Sequence, residues 1–380
     1  MPPPVRLIVN PAAGGGRAGR AAPDVERTLR GLGLEVRGSD TRDLPHAREL
    51  ALEAARGGET AVTLGGDGLA GAVADALRGV PGALLGVLPG GRGNDLARVL
   101  GIPLDPLAAC AVIAHGVPRP IDLGLVAGAP SDAPAPRSGA QSDPPGPLGG
   151  ASLSAPGLPG DAPSDAPGQT FVGIASVGFD SEANRIANEA PAWLGGLVYA
   201  YGALRALLAW RPARFEIELE PPGERLRFTA YTVGAANSRA YGGGMRAAPG
   251  ALLDDGLLEV VVLESVSKLR FLTRILPRVF SGAHVHEPCV HVFRAREIAL
   301  SADRPFTVYA DGDPIGELPL RVRAVPGAVR VLVPAGELPD SPFSKPAPGG
   351  VESIPGERHR ADVAAGEASQ AARPSPPPGD

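Results

Sequence analysis

Three apolar runs near the start of the chain each break into a glycine-bearing turn, and this pattern constrains the fold more than any other feature. The runs are residues 5–9, 61–64 and 84–88, and a helical pattern follows each turn. Apolar runs that alternate with helices are typical of a parallel sheet with covering helices, whose strand ends line up along one edge. We therefore predict that residues 1–118 form an α/β domain.

These turns have the composition of a phosphate-binding backbone. Glycines let the backbone approach a phosphate closely, N–H groups at a helix start favour anions, and a neighbouring carboxylate can hold Mg²⁺. An alternative is that Asp67 and Asp95 only cap the helices that follow. Two such turns together favour a nucleotide site, whose candidate residues are Asn10, Gly14, Gly15, Gly16, Gly65, Gly66, Asp67, Gly68, Gly90, Gly91, Arg92, Gly93, Asn94 and Asp95.

The second half of the chain is richer in short strand-like runs. From residue 119 to residue 333 they are typical of an antiparallel sandwich, and a cleft beside the first domain is then the natural place for a site. The runs are residues 171–177, 215–219, 227–233, 257–263, 298–301, 307–310 and 328–333.

Glycine and proline are abundant, at 52 and 43 residues, and much of this content lies in two segments. Residues 127–169 are rich in Ala, Pro, Gly, Ser and Asp and contain no aromatic residue, Ile or Val. Such a segment cannot bury enough apolar surface to offset its ordering entropy. We predict that residues 127–169 are a disordered insertion and residues 334–380 a disordered tail.

Charge and cysteine content exclude some classes of protein. A net charge of −5 gives no reason to expect nucleic acid as a partner. Cys110 and Cys289 are too few for a disulfide framework, and residues 1–4 do not resemble a signal peptide, so we expect a cytoplasmic protein. Residues 190–210 favour a buried helix over a membrane-spanning one.

A basic amphipathic pattern occupies residues 266–280. Its apolar positions favour packing in the core, and its basic positions leave contact with an anionic membrane surface as the lesser alternative. The apolar positions are Leu269, Leu272, Leu276, Val279 and Phe280, and the basic ones are Lys268, Arg270, Arg274 and Arg278.

The glycine turns belong to longer motifs. Residues 10–16 begin Asn-Pro, residues 65–68 read Gly-Gly-Asp-Gly, and residues 91–98 read Gly-Arg-Gly-Asn-Asp-Leu-Ala-Arg. In these motifs the chain resembles the diacylglycerol kinase catalytic family of lipid kinases, and the resemblance continues through Asp-Asp-Gly-Leu at residues 254–257. Gly-Gly-Asp-Gly alone is shared with NAD kinases and phosphofructokinases, whereas the downstream motifs are specific to the lipid kinases.

The resemblance implies a fold and an activity. It implies an N-terminal Rossmann-like parallel-sheet domain, a β-sandwich lipid-substrate domain over residues 119–333, and an active site in the cleft between them. The implied enzyme uses ATP and Mg²⁺ to phosphorylate diacylglycerol or a related lipid at the inner face of the membrane, and a homodimer is left open. Alternatives are a kinase for a sphingoid base, NAD or another hydroxyl compound, and a catalytically silent nucleotide-binding regulator.

The resemblance also implies roles for single residues. Asp313 stands where the family has its proposed glutamate base, with Asp311 as a supporting carboxylate, and Asp67 and Asp95 would position Mg²⁺ and phosphate. Thr41 matches a nucleotide-contacting threonine. Leu252, Asp255 and Leu257 match a structural magnesium site of some bacterial relatives, although a plain Asp-Gly turn explains them equally well. Departures from the family at Leu69, Arg92 and Asp313 are what leave the silent alternative open.

Overall fold

The N-terminal strands form a parallel sheet in the order β2-β1-β3-β4. These strands are β1 (Val5–Val9), β2 (Val36–Asp40), β3 (Thr60–Gly65) and β4 (Leu85–Pro89). Strands β1, β3 and β4 are buried along their whole length, as expected for a parallel sheet that is covered on both faces. Because β1, β3 and β4 are neighbours, the turns that follow them meet at one edge.

Five helices accompany these strands in the described part of the N-terminal lobe. They are α1 (Ala13–Gly31), α2 (Leu44–Arg56), α3 (Asp67–Leu77), α4 (Asp95–Val99) and α5 (Pro106–His115). Helices α2 and α5 begin with the same local device, in which the side chain of Asp43 or Asp105 accepts a hydrogen bond from the N–H three residues on and a proline follows in the first turn.

The C-terminal strands form an antiparallel sheet in the order β14-β13-β7-β9-β8-β12-β15, and β10 and β11 branch from β9. Alternating buried and exposed residues in β8 show the period of two expected for a strand with one face on a core. The strands are β5 (Val117–Ala127), β6 (Gly168–Phe171), β7 (Ile174–Gly178), β8 (Ala213–Glu220), β9 (Glu224–Ala236), β10 (Leu258–Glu264), β11 (Val290–Ala295), β12 (Glu297–Ala302), β13 (Thr307–Ala310), β14 (Asp313–Glu317) and β15 (Leu320–Val333).

Helical segments lie beside this sheet. Helix α6 is Phe179–Asn188. A second segment, which we call the basic helix, runs from Lys268–Arg270 through a π-helical turn at Phe271–Ile275 to Leu276–Val279. A short 3₁₀ turn follows at Ala283–His286.

Strands β5 and β15 connect the two lobes. β15 pairs with β12 in the C-terminal sheet through its first residues, and Val331 near its end pairs with Leu85 of β4. β5 runs antiparallel to β15 over most of its length, with a register shift between Val325 and Val329. The Asp122 carboxylate accepts the Gly327 N–H at 2.7 Å and so fixes this irregularity.

The computed structural model describes residues 3–127, 168–188, 205–207, 209–221, 223–336 and 340–344, all within one unit, Met1–Ser344. It confirms the predicted fold class, an N-terminal parallel sheet with helices and a C-terminal antiparallel sandwich-like sheet. The predicted domain boundary at residue 118 falls at the start of β5 and stays a prediction.

Some sequence expectations were wrong in detail. Strand β2 was missed, because only one of its five residues is aliphatic and it lies at an edge. The run predicted as one strand over residues 171–177 is two strands that break at Val172 and Gly173. The predicted insertion, residues 127–169, lies outside the described residues except at its ends, where Ala127 and the pair Gly168 and Gln169 belong to strands.

The predicted disorder of residues 334–380 was wrong for residues 340–344. The Phe343 side chain is buried in the N-terminal core, and the Arg119 guanidinium lies 4.6 Å from the centre of its ring. The Asp340 carboxylate accepts hydrogen bonds from Arg239 and Arg246. These contacts join residues 340–344 to the folded part of the chain. Residues 345–380 lie outside the described residues.

Two predictions concerned apolar helices. Residues 190–210 lie mostly outside the described residues, and none of the described helices is long and apolar enough to cross a membrane. For residues 266–280, the expected core packing of Leu269, Leu272 and Phe280 was wrong, because all three side chains are exposed. Phe271 and Ile275 face the core instead.

Candidate active site

The glycine turns after β3 and β4 interlock. The N–H groups of Gly90 and Gly91 both donate to the Gly65 carbonyl, at 2.7 and 2.9 Å. A side chain on Gly91 would clash with the backbone of Gly66, and a Cβ on Gly90 would lie 2.8 Å from that of Ala18 in α1. Only glycine fits these positions, and the two turns present one continuous backbone surface.

The turn after β1 packs onto the same surface. Gly14, Gly15 and Gly16 have φ angles of 62°, 70° and 84°, the left-handed region that favours glycine. A side chain on Gly14 would clash with the carbonyl of Gly90. The Asn10 side chain accepts the Ala12 N–H at 3.1 Å and so closes its own turn.

Thr41 lies at the same edge of the sheet, directly after β2. Its N–H donates to the Val9 carbonyl at 2.7 Å, and its hydroxyl donates to the Asp43 carbonyl at 2.6 Å. The side chain is mostly buried, and its hydroxyl oxygen keeps acceptor capacity toward a ligand. The structure therefore brings Thr41 to the edge where the three glycine turns meet.

Asp67 and Asp95 are the first residues of α3 and α4, yet neither caps its own helix. Oδ1 of Asp67 accepts the Leu96 N–H of the other helix at 3.0 Å, and Oδ2 of Asp95 accepts the Gly243 N–H of the C-terminal lobe at 2.8 Å. A Cβ built on Gly93 would lie 3.0 Å from Oδ2 of Asp67 and 3.4 Å from Oδ2 of Asp95. Both carboxylates thus face the third glycine turn.

The electrostatics of this pair suit a cation. Burial raises the pKa of the Asp95 carboxyl, and the negative charge of Asp67 raises this pKa further. Hydrogen bonds from the backbone of Gly243 and Gly244 lower the pKa and oppose both effects. Oδ1 of Asp95 is buried, and no described residue bonds it. In the described ranges no group of three metal-ligating side chains occurs. Mg²⁺ is commonly bound by one or two carboxylates plus substrate phosphates, which is a donor set that these two residues fit.

Arginines surround the turns. The Arg17 guanidinium donates to the Gly91 carbonyl, and Nε of Arg98 donates to the Gly93 carbonyl at 3.2 Å. Arg92 is exposed on the same turn. Fixed guanidinium groups beside a phosphate-binding backbone strengthen its attraction for anions. Arg92 belongs to the motif at residues 91–98, whereas the only sequence signal for Arg17 is its place one residue after the first glycines.

Asn94 closes the third glycine turn with its side chain. It adopts a left-handed conformation with φ 56°. Its side-chain oxygen accepts the Gly91 N–H at 2.9 Å, and its nitrogen donates to the Gly91 carbonyl at 3.0 Å. The amide therefore holds the third turn closed, and the predicted contact of Asn94 with a nucleotide stays a prediction.

Asp311 brings the C-terminal lobe to the site. It follows β13 with φ 51°, and its carboxylate accepts three backbone N–H groups, from Val172 at 2.8 Å, Gly173 at 2.9 Å and Ile174 at 3.1 Å. Burial raises the pKa of Asp311 to about 6, the three hydrogen bonds oppose this shift, and the negative charge of Asp67 adds to it. Asp311 thus anchors the break between β6 and β7 within electrostatic reach of Asp67.

Asp313 lies two residues further on, at the first position of β14. Its backbone pairs with Ala310, and its side chain is exposed. Gly312 between the two aspartates has a φ of 97°, which makes the turn that separates them. Of the two, Asp311 is held in place, and Asp313 is the one whose carboxylate is accessible to a substrate.

A loop of the C-terminal lobe completes the surroundings of Asp95. Tyr241 and Met245 pair through two 3.0 Å backbone hydrogen bonds around the loop that carries the Gly243 contact. Burial raises the pKa of Tyr241 well above its usual value, with the carboxylates of Asp180 and Asp95 adding to the shift. Tyr241 therefore lies between the two acids. Its link to Asp180 was missed, because no local pattern joins residues so far apart in sequence.

The predicted second metal site centres on the carboxylate of Asp255. Oδ1 of Asp255 accepts the Leu257 N–H at 3.0 Å, and Oδ2 lies 3.7 Å from the Arg294 guanidinium. Burial raises the pKa of this carboxyl as well. The Arg294 guanidinium opposes this rise of the pKa, whereas the neighbouring Asp254 carboxylate adds to it. The magnesium site at Leu252, Asp255 and Leu257 stays a prediction.

The chain is similar to known proteins along both of its lobes. Residues 4–126 match the model of the diacylglycerol kinase catalytic domain, and residues 173–333 match that of the YegS C-terminal NAD kinase beta sandwich-like domain. A diacylglycerol kinase of Mycobacterium tuberculosis (strain H37Rv) is 31% identical over 336 residues, which cover 87% of this chain and 95% of that relative. A protein of Pseudomonas fluorescens with the name "Probable lipid kinase YegS-like" is also 31% identical, over 85% of this chain and 92% of the relative.

Solved structures show the same fold. A diacylglycerol kinase structure from Bacillus anthracis str. Sterne superposes with a TM-score of 0.61 at 19% identity and covers 87% of this chain and 97% of that one. Fold, site and relatives together define a phosphotransferase of the lipid kinase class. The chain belongs to the diacylglycerol kinase family.

Proposed function

We propose that this protein transfers the γ-phosphate of ATP to a hydroxyl group of diacylglycerol or a closely related lipid. The observation that carries the proposal is that Asp67 and Asp95 both face the interlocked glycine turns at the carboxyl ends of β1, β3 and β4, with Asp311 close enough for the Asp67 charge to raise its pKa. Phosphoryl transfer depends mainly on positioning and on neutralising charge, and this arrangement supplies groups for both.

The N-terminal lobe would bind the nucleotide. Its glycine turns offer backbone surface that phosphates can approach closely, and the guanidinium groups of Arg17 and Arg98 lie beside them. Asp67 and Asp95 would hold Mg²⁺, which supplies charge neutralisation at the phosphates when bound. Thr41 would meet the nucleotide at the edge of the sheet.

The C-terminal lobe would handle the acceptor. The exposed carboxylate of Asp313 would take the proton of the attacking hydroxyl as general base. Asp311 would act as a positioning residue, because its three hydrogen bonds fix the turn from which Asp313 projects. Asp313 is one methylene shorter than the glutamate of the family motif, which shifts the reach of the base and makes its placement sensitive to the turn.

We place the reaction at the inner face of the cytoplasmic membrane, with a peripheral contact and no nucleic-acid partner. Support for this comes from the lipid substrate, since diacylglycerol resides in a bilayer. A homodimer is not needed for the proposed chemistry.

The test is transfer of radiolabelled phosphate from ATP to acceptors dispersed in detergent micelles. We expect labelling of diacylglycerol that requires Mg²⁺ and falls to background in Asp67→Ala. The matched control is Asp24→Ala, which removes an exposed aspartate of α1 whose partner is the neighbouring Arg27. Labelling of a sphingoid base or NAD in place of diacylglycerol would refute the proposed substrate, and no labelling of any acceptor would refute the proposed activity.

A further inference from the structure

The basic helix, Lys268 to Val279, presents large apolar side chains to solvent. Leu269 is 71% exposed and Leu272 41% exposed, and Phe280 directly after the helix is 59% exposed. All three side chains lie on the side of this segment that faces solvent, which we call the apolar stripe. Solvent exposure of three such groups on one element is unusual for a surface that has no partner.

The opposite face of the helix packs in the core. Phe271 packs on the rings of Phe179 and Tyr231, with ring centres 5.0 and 5.4 Å apart, and Ile275 is buried one turn later. These contacts fix the orientation of the helix. The apolar stripe therefore points outward because another stripe holds the helix to the protein, and not because the helix is detached.

A row of positive charge runs beside the apolar stripe. Arg270, Arg274 and Arg278 follow one another at intervals of four residues, and all three pair with Glu287, whose side chain is only 5% exposed. One carboxylate balances one of the three guanidinium charges. Lys268 adds a further positive charge, and no Asp or Glu occurs between residues 265 and 286. This local excess contrasts with the net charge of −5 for the whole chain.

The same helix is connected to the candidate active site. The Val279 carbonyl accepts the Arg246 N–H at 3.0 Å, and Arg246 adjoins the glycine loop whose Gly243 donates to Asp95 at 2.8 Å. The His284 ring, just after the helix, bonds the Ala247 carbonyl at 3.1 Å. A surface that binds this helix is therefore separated from the Asp95 carboxylate, which is proposed to position phosphate, only by the loop that contains Gly243 and Arg246.

We infer that the basic helix is the surface by which this protein docks on an anionic phospholipid bilayer, with Leu269, Leu272 and Phe280 inserted among the lipid chains. An apolar stripe bordered by arginine and lysine matches the boundary of acyl chains and anionic headgroups. A protein partner would need complementary apolar and acidic surface, whereas an anionic bilayer offers both over any area. The inference rests on the proposed lipid substrate and names the surface that would reach it.

The test is flotation of the full chain with vesicles of phosphatidylcholine, with and without phosphatidylglycerol, in the absence of ATP and diacylglycerol. The variant is Leu269→Ser with Phe280→Ser. Its matched control is Leu104→Ser with Leu107→Ser, which removes two leucines that are 42% and 40% exposed on the N-terminal lobe. We expect wild type and control to bind vesicles containing phosphatidylglycerol equally, and the variant to bind them at least about tenfold more weakly. Lys268→Glu should weaken binding to these vesicles only.

Equal binding by the variant and wild type, or an equal loss in the control, would overturn the inference. If light scattering without vesicles shows that the variant and wild type differ in oligomeric state, the apolar stripe is a contact between copies of the chain. That result would also overturn the inference. Transfer to diacylglycerol in detergent micelles separates this outcome from failure of the proposed function. The variant should keep wild-type activity there, because no bilayer is involved and its melting temperature should be unchanged.

Discussion

The raised pKa of Asp311 makes a quantitative prediction about stability. Three backbone N–H groups on one carboxylate favour its charged form, and burial and the neighbouring Asp67 favour its neutral form. The second group of effects wins, since the pKa is raised from 3.8 to about 6. Each pKa unit corresponds to 1.36 kcal/mol, so the folded protein holds the Asp311 charge at a cost of about 3 kcal/mol.

The sign of the effect follows from proton binding. Between pH 4 and pH 6 the folded state holds a proton on Asp311 that the unfolded state has already released. Stability from this group is therefore fully present below about pH 4 and is lost as the pH rises through about 6. Above pH 7 both states are ionised, and the whole cost is present.

The perturbation is Asp311→Asn, which removes the titration. The amide oxygen can still accept the Gly173 and Ile174 N–H groups, but its NH₂ group then meets the Val172 N–H, and an unsatisfied donor costs about 1–3 kcal/mol. At pH 7 this cost and the removal of the buried charge offset each other. At pH 4 only the cost remains, so the variant should be less stable than wild type there.

The assay is urea unfolding of wild type and Asp311→Asn from pH 4 to pH 7, without Mg²⁺ or nucleotide. The free energy of unfolding of wild type minus that of the variant should fall by about 2.4 kcal/mol from pH 4 to pH 7, because the unfolded carboxyl is already partly ionised at pH 4. Asp67→Asn in the wild-type background should shrink the change, because it removes one cause of the raised pKa. A flat difference curve, or one that rises with pH, would show that the three N–H groups win, and would refute the reasoning.

Three further predictions concern single side chains. Asp67→Ala should abolish phosphoryl transfer. It should lower the free energy of unfolding by only about 1 kcal/mol, because the variant loses one hydrogen bond from the Leu96 N–H. Turnover near that of wild type would show that Asp67 is not part of the site. Asp313→Asn should cut the rate of phosphoryl transfer severely and leave the affinity for ATP unchanged, whereas Asp313→Glu should retain activity; single-turnover kinetics and nucleotide titration measure the two quantities. If Asp313→Asn transfers phosphate normally and Asp311→Asn does not, Asp311 is the base. Phe343→Ala should destabilise the protein by about 3 kcal/mol in urea unfolding, because its ring fills the N-terminal core beneath Arg119, and an unchanged midpoint would contradict that packing.

The parts of this fold that were predictable from sequence are those with a local cause. An apolar run that breaks into glycines predicts both the strand and its turn, so the local sequence alone is enough to place β1 and the turns at Gly65 and Gly90. Strand β2 carries no such signal, because its exposed edge position allows Arg37, Gly38 and Ser39.

The tertiary relations in the site were less accessible. The sequence motif identifies Asp67 and Asp95 as candidates, but it does not show that each accepts a hydrogen bond from an N–H outside its own helix. Nor does an amphipathic pattern say which stripe faces the protein. In the basic helix Phe271 and Ile275 face inward, since they meet an aromatic cluster contributed by α6 and β9.

The pairing of β15 with both lobes also bears on how the chain is made. Leu85 of β4 and most of β5 pair with residues that lie roughly 200 positions or more later in the chain. The N-terminal lobe therefore keeps an unpaired sheet edge until β15 (Leu320–Val333) leaves the ribosome. Contacts at such sequence separation slow folding, and an open edge is prone to associate with other chains in the meantime. Nascent chains that stop before Leu320 should therefore depend on chaperones, and the two lobes should reach the native state together, late in synthesis.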